Sequence, residues 1–410
     1  MRIREIYSMR SGLLLLILWM ACSNLTTSAQ DIAVRGKRIH TVSGGVLTDG
    51  VVLIRNGKIA AVGSADTLTI PVGVTVLDVA VVTPGLIDAH SVVGLSGQLN
   101  QKHDQDQQES GENISPELRA LDAFNYNERL VSWLREHGIT CIHTGHAPGA
   151  SVAGTSMIVK TRRAPLSETV VTERAMMIGS LSDAARKKGA GTKAKQVAAL
   201  RAEFIKAQKY RREQLNDGQK KRPSRDLRME ALTEVLNKKV PFLITAHTER
   251  DIATALRLSR EFGFRLILDG CSEIYRCADA VKKAEVAVIC HPTMMRTSGE
   301  RKNASMTTPA NLDRLGIPFA FQSGYESYVP KTRVVLFEGA VAVAHGLEAA
   351  SALRHLTLDA ARLLSIDERV GSLEVGKDGD LALFDGDPFE YTTHVVGAVI
   401  DGHHVSSAKR

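Results

Sequence analysis

No apolar run in this chain of 410 residues is long enough to cross a bilayer as a mature helix. The stretch Gly12 to Ala21 covers about ten residues, where a span takes ~20. Behind Arg2, Arg4 and Arg10 it reads instead as the apolar core of a signal peptide over residues 1–29, with Thr27-Ser28-Ala29 as the small residues cut before Gln30. Export to the periplasm or the medium is therefore expected, with no stable membrane span after cleavage. Cys22 offers lipid attachment as an alternative, against which the bulky Trp19 and Met20 ahead of it argue.

Cysteine is sparse too. Beyond the leader only Cys141, Cys271, Cys277 and Cys290 remain, none in CxxC spacing and each in or beside an apolar run. Neither a disulfide framework nor a redox motif is indicated, and buried free thiols are expected in a chain large enough to bury a core without staples. Nor is there a broad basic surface. The formal charge of +7 is concentrated between Arg186 and Arg228, where Lys and Arg alternate with Ala, Leu and Glu in a helical pattern. That is a solvated helix face rather than a polyanion site, so nucleic acid is not expected as a partner.

What is present is an ordered alternation. Val51 to Arg55 and Lys58 to Gly63 flank Asn56-Gly57, a two-residue hairpin signal. At the far end, Gly371 to Asp380 leads into Leu381 to Asp385, and the strand Val395 to Ile400 turns at Asp401-Gly402. Neither set can bury a face by itself, so residues 30–80 and 368–410 are expected to pair as one small composite β-sandwich. Residues 81–367 alternate strand-like runs with helical stretches, the pattern of a parallel sheet with crossovers. Eight runs qualify: Val81 to Ile87, Ile139 to His143, Ser156 to Lys160, Ala175 to Ile178, Val240 to Ala246, Phe264 to Leu268, Val286 to Cys290 and Ile317 to Phe321. The fold class they imply is α/β, a closed (β/α)8 TIM-type barrel.

Two long connections interrupt the alternation. Residues 180–239 are expected to form a helical insertion over one side of the barrel mouth. The other follows His90, carries His103, Asp104, Asp106, Glu109 and Glu112, and reaches Ser115-Pro116-Glu117. A serine cap, a proline at the first helical position and an early acid predict a helix start there.

The stretch Pro84-Gly85-Leu86-Ile87-Asp88-Ala89-His90 ends an apolar run on an acid and an imidazole. Strand side chains alternate faces, so Asp88, His90 and Val92 share a direction at the strand's carboxyl end, and Asp88 is expected to orient His90 or cap a turn. With the hairpin Val51 to Gly63, with His247 closing Leu243-Ile244-Thr245-Ala246-His247, and with the tail Gly371 to Asp387-Pro388, this stretch resembles the amidohydrolase superfamily, particularly its exported imidazolonepropionase-like members. The resemblance covers nearly the whole mature chain. It implies a metal-dependent hydrolase of carbon–nitrogen bonds in small cyclic or peptide-like amides. A divalent ion, zinc foremost, lowers the pKa of bound water from ~15.7 toward ~7.

The family's ligands are two histidines on the first strand, often a carbamylated lysine on the fourth, one histidine each on the fifth and sixth, and an aspartate on the eighth. His90 and His247 stand at two of these positions. Val92, Gly270 and Gly324 stand at others, and Met177-Ile178-Gly179 offers no lysine, although Lys160 ends the third strand. Catalytic zinc generally takes three protein ligands and an open position. His143, His146 and His291 lie at other strand ends and could complete a relocated mononuclear site, with Asp269 or Glu273 as its base. Arg296 and Lys331 could grip a substrate carboxylate. The expectation is an amidohydrolase-type hydrolase of a small amide or peptide-like substrate, with an altered or degraded metal site or no ion at all. The alternative is a catalytically inactive barrel, either a ligand-binding protein or the partner subunit of a competent paralogue, with homo-oligomers also open.

Overall fold

The two ends of the chain meet through a pair of tight turns. The computed structural model describes residues 31–189, 191–215, 223–290, 297–325 and 335–410. The expected leader with Cys22, and His291, Arg296 and Lys331, lie outside the described residues. The amino-terminal part supplies β1 (Ile32–His40), β2 (Val46–Arg55), β3 (Lys58–Ser64) and β4 (Thr75–Pro84). The middle supplies β5 (Leu86–Ser91), β6 (Ile139–Thr144), β7 (Val152–Thr155), β8 (Met157–Lys160), β9 (Val170–Thr172), β10 (Met177–Ser180), β11 (Phe242–Ala246), β12 (Leu266–Gly270), β13 (Ala287–Cys290) and β14 (Phe319–Phe321). β15 (Leu381–Phe384), β16 (Val395–Ile400) and β17 (His403–Ser406) follow.

One seven-stranded sheet runs β17-β16-β15-β4-β1-β2-β3, so the chain ends pair as expected, with β15 antiparallel to β4. Ile32, Val34, Val52, Ile54, Leu381, Leu383 and Val399 fill one of its faces. Asn56-Gly57 and Asp401-Gly402 both turn with positive φ at each residue (49° and 78°, 50° and 73°), the geometry of type I′ hairpins. The turns also touch. A side chain on Gly402 would begin 2.8 Å from the Cα of Gly57, so glycine is what lets the two ends of the chain close on each other.

The barrel strands fall into two hydrogen-bonded arcs, β14-β13-β12-β11-β10-β7 and β5-β6-β8-β9. A parallel bridge from Ser91 to Gly324 joins them on one side. On the other, a single extended segment crosses at Ser156, pairing as β7 with β10 and as β8 with β6. Here the structure corrects the all-parallel expectation: the third strand is antiparallel to both neighbours. A parallel crossover needs a dozen or more residues, and only residues 145–151 separate β6 from β7. The expected first strand from Val81 is also split, its opening residues belonging to β4.

Period-two alternation then sorts the side chains. Ile87, Cys141, Ile158, Ile178, Leu243, Ile267, Ile289 and Ala320, one from each barrel strand, form a single inward layer closed off by Ala360, Ala361 and Leu363. Their neighbours Leu86, Ile142, Val159, Met177, Ile244, Leu268, Val288 and Phe321 pack outward with the helices. The four expected thiols are free, with Cys141, Cys271 and Cys290 buried.

Within the 180–239 connection, helices Asp183–Lys187, Lys193–Leu215 and Leu227–Leu236 form. Leu200, Phe204, Ala207 and Tyr210 make the buried stripe of the longest, and Phe204 stacks on Phe262 and Phe264 with ring centroids 4.9 and 5.3 Å apart. Two of its basic residues pair with acids on the neighbouring helix Glu249–Phe262: Arg201 with Glu261 at 2.9 Å and Lys193 with Asp251 at 3.0 Å. The helix expected at Ser115 does not form. Ile114 and Arg119 bridge to Val152 and Thr155, so that backbone is committed to β7. A four-residue helix, Ala120–Ala123, follows that bridge, and the longest helix of the connection is Arg129–Glu136, capped by the Glu128 carboxylate on the Leu130 N–H.

Candidate functional site

Two residues beyond the apolar layer, toward the strands' carboxyl ends, the inward positions become polar: His143 on β6, Ser180 on β10, Thr245 on β11, Asp269 on β12 and Gln322 just past β14, all buried. Because β8 runs the other way, the residue it contributes to this layer is Ser156, which stands beside His143. The same reversal sends Lys160 to the opposite end of the barrel, against Asp378, Asp380 and Asp401. Register shifts in β5 between Asp88 and Ser91 break its simple alternation.

Asp269 is the hub. Its Oδ1 accepts from Gln322 Nε2 at 2.6 Å and from His90 Nδ1 at 3.2 Å, and its Oδ2 from Thr245 Oγ1 at 2.5 Å. A carboxylate can only accept from the imidazole, which places the proton on Nδ1 of His90. Nε2 of this fully buried ring has no partner among the described residues.

The other candidates are placed differently. His143 lies 5.7 Å from His90, centroid to centroid, but both its nitrogens are engaged: Nδ1 donates to the Ala89 carbonyl and Nε2 accepts from Ser156, each at 2.6 Å. Burial, then the neighbouring His90, push its pKa down to about 3. Asp88 does not line the mouth. It accepts from the backbone N–H of Ser323 at 3.0 Å, from the Ser323 hydroxyl and from the His90 N–H at 3.3 Å, tying β5 to the end of β14. Burial raises its carboxyl to about 6.

His247 follows β11, with Nδ1 3.0 Å from Ser272 Oγ and a pKa lowered by burial to about 4. His146 is buried beside the loop acids Glu109 and Asp106. Its Nδ1 has no partner among the described residues, and burial lowers its pKa to about 4. Glu273 serves a helix start instead of the mouth. Burial works against its charge, but the Glu249 N–H at 2.9 Å, Asn303 at 2.5 Å and Arg276 hold the carboxyl below its ordinary range.

Above the polar layer opens a cavity of about 200 Å³, lined among others by Gln108, Thr245, His247, Glu300, Arg301 and Tyr325. The Tyr325 ring sits 5.5 Å from that of His90. Thr245, Gln322, Ser323, Glu300 and Arg301 were not singled out from sequence. The first two were reachable by stepping two residues from the apolar layer; the loop residues carry no such signal.

Residues 81–405 match the model of the amidohydrolase family. The chain belongs to that family. An amidohydrolase from Thermotoga maritima MSB8 is 26% identical and superimposes with a TM-score of 0.86 over 92% of this chain and 100% of that one. A zinc-bound adenosine deaminase from Xanthomonas campestris shares 18% identity at TM-score 0.54, covering 92% of each chain. A Xaa-Pro dipeptidase with methionine in its active site shares 15% identity at TM-score 0.57, over 92% of this chain and 100% of that one. At that identity the last two show the fold alone. No curated protein matches the chain.

An amidohydrolase ion needs several donors converging on one point, and among the described residues no three His, Cys, Asp or Glu side chains are placed to hold one. Each position shows why. Val92 is buried as an apolar residue, and Gly324 bridges to Ser91. Asp269 is occupied by three protein donors and His143 by two partners. Gly270 is more than a missing histidine: a Cβ there would lie 2.6 Å from Cε1 of His247, whose ring fills the space. The described residues therefore do not fit the family's ion.

Gly270 has φ +82°, so Gly270→Ala combines backbone strain with this overlap. A loss of about 1–3 kcal/mol is expected, read as a lower urea midpoint. An unchanged midpoint would mean that the His247 ring swings aside without cost.

Proposed function

We propose that this amidohydrolase-family chain takes a small amide or peptide-like compound into its barrel mouth, and that its capacity for carbon–nitrogen hydrolysis is lost or strongly reduced. The observation that carries the reading is Asp269. A carboxylate at the end of a barrel strand, where the family's chemistry gathers ligands, is spent on His90, Gln322 and Thr245. Hydrogen bonds inside the protein hold together what an ion would otherwise organise. The deaminase and dipeptidase named among the neighbours support the substrate class by likeness of fold. The leader-like residues 1–29 support a place outside the cytoplasm.

A second reading keeps hydrolysis through a relocated ion. What favours it is that His90 Nε2 and His146 Nδ1 are buried ring nitrogens with no partner among the described residues. Elemental analysis of protein purified without chelator, alongside assays on simple amides and dipeptides with and without added zinc or manganese, separates the two. The first reading expects far less than one equivalent of any transition metal and no metal-stimulated turnover. One tightly held ion, with turnover that chelator abolishes, would overturn it in favour of the second.

A further inference from the structure

We propose that a cleft at the end of the barrel opposite the mouth is a second small-molecule site, and that it takes a zwitterion with an apolar body, of the kind a hydrophobic amino acid presents. The proposal stands apart from whatever the mouth binds. The cleft measures about 580 Å³, within the ~300–1,000 Å³ usual for small-ligand pockets. It opens at the amino-terminal ends of β12, β13 and β14, where Leu266, Ile267, Ala287, Ile317 and Pro318 give it an apolar floor. Ile267 also belongs to the inward layer of the barrel, so the floor reaches the core from the side away from the mouth.

The charges on its wall decide the class of ligand. Arg265, Arg354 and Arg362 line it together with Glu285, Asp313 and Asp359, so the formal charges balance. Four of these groups are spent on one another. Asp359 holds Arg354 at 2.9 Å and Arg362 at 3.3 Å, and the buried His355 ring stands between Asp359 at 3.0 Å and Asp313 at 3.1 Å. Two remain. Arg265 reaches only the Ser365 hydroxyl, at 3.5 Å, and Glu285 has no side-chain partner among the described residues. They line the same space without pairing with each other. Glu285 follows the helix Ala278–Lys283 with φ 53°, and the Val286 N–H reaches back to the Val281 carbonyl at 3.4 Å. Glycine is the usual occupant of such a cap, so the acid adds nothing to it and its carboxylate is left for the cleft. A molecule carrying both charges completes this wall: its carboxylate meets the guanidinium, its ammonium meets Glu285, and its apolar part covers the floor. An anion alone would set itself against Glu285, and a cation alone against Arg265.

The test titrates the full chain, labelled with 13C at the isoleucine δ1 methyls, with L-phenylalanine, phenylacetate and phenethylamine. The three share one ring and carry both charges, the negative charge only and the positive charge only. Ile267 and Ile317 report from the cleft floor, and Ile267→Val and Ile317→Val assign their signals. Phenylalanine at millimolar concentration should move both methyls, and each single-charge analogue should bind roughly fivefold more weakly, the scale set by exposed ion pairs. Arg265→Gln should bring phenylalanine down to the level of phenethylamine. Glu285→Gly, which suits the left-handed backbone, should bring it down to that of phenylacetate. Both side chains are exposed; if either variant does not fold, the three-ligand comparison on the native chain decides alone. Methyls that stay in place under phenylalanine, equal affinities for all three ligands, or an unchanged affinity for phenylalanine in both folded variants would each overturn the proposal.

Discussion

Lys160→Ala should cost about 3–5 kcal/mol, a large part of what holds a domain of ordinary stability together. The side chain is almost wholly buried, with Nζ 2.5 Å from Asp380, 3.0 Å from Asp378 and 3.1 Å from Asp401. Burial alone would pull its pKa down, but the three aspartates overcome it and hold the ammonium above its usual range. The carboxylates are not equally exposed to its loss. Asp378 keeps Lys58 at 2.5 Å and Arg369 at 2.9 Å, and Asp401 keeps Arg162 at 3.3 Å. Asp380 has no other cation among the described residues, and burial already raises its pKa. A charge stranded in the interior is what makes such removals expensive. Lys160 ends β8, whereas Asp378 and Asp380 lead into β15 and Asp401 turns β16 into β17. The variant should therefore loosen the barrel from the sheet that joins the chain ends. Urea melts of Lys160→Ala and of Lys160→Met with Asp380→Asn measure this. The double variant, which removes the stranded charge, should recover part of the loss. A single-variant cost within about 0.5 kcal/mol, the range of unremarkable surface changes, would show that the cluster does not join the two parts.

Lys160 also shows where the sequence was legible and where it was not. As a strand ending in lysine it could be found from its apolar run, but its direction depends on the length of the preceding link, and residues 145–151 leave room only for an antiparallel return. That one reversal decides whether the lysine reaches the mouth or the opposite end. The hairpin turns at Asn56-Gly57 and Asp401-Gly402 were readable because positive φ selects residue type locally. The polar layer was harder. Asp269 stood out as an acid at a strand end, but that it binds His90, Gln322 and Thr245 depends on how four separate strands align around the barrel, which no local pattern encodes. Gly270 illustrates the converse. In sequence it is a ligand that is absent, while in space it is the room that the His247 ring occupies.

Acid should destabilise this protein steeply between about pH 6.5 and pH 4. Three buried histidines drive the effect: His143 with a folded pKa of about 3, and His146 and His247 with about 4, against 6.5 for the ordinary group. Within that window the unfolded chain binds protons that the folded chain refuses. The stability these rings contribute is thus fully present above pH 6.5 and is lost as pH falls toward their folded values. Asp88 acts in the opposite sense. Its folded pKa of about 6 lies above 3.8, so the folded state takes up a proton first and gains stability as pH drops through 6. Magnitude decides the outcome. With ~1.4 kcal/mol per pKa unit, each histidine forfeits about 2 kcal/mol by pH 5, while Asp88 returns roughly 1–2 kcal/mol once. The sum is a net loss of several kcal/mol between pH 7 and pH 5, visible as a falling urea midpoint. Asp88→Asn removes the opposing contribution, so the same descent should be steeper in that variant. A midpoint that holds steady or rises from pH 7 to pH 5 would mean that these imidazoles are solvated in the folded protein, and that the polar layer around His90 and Asp269 is wet rather than sealed.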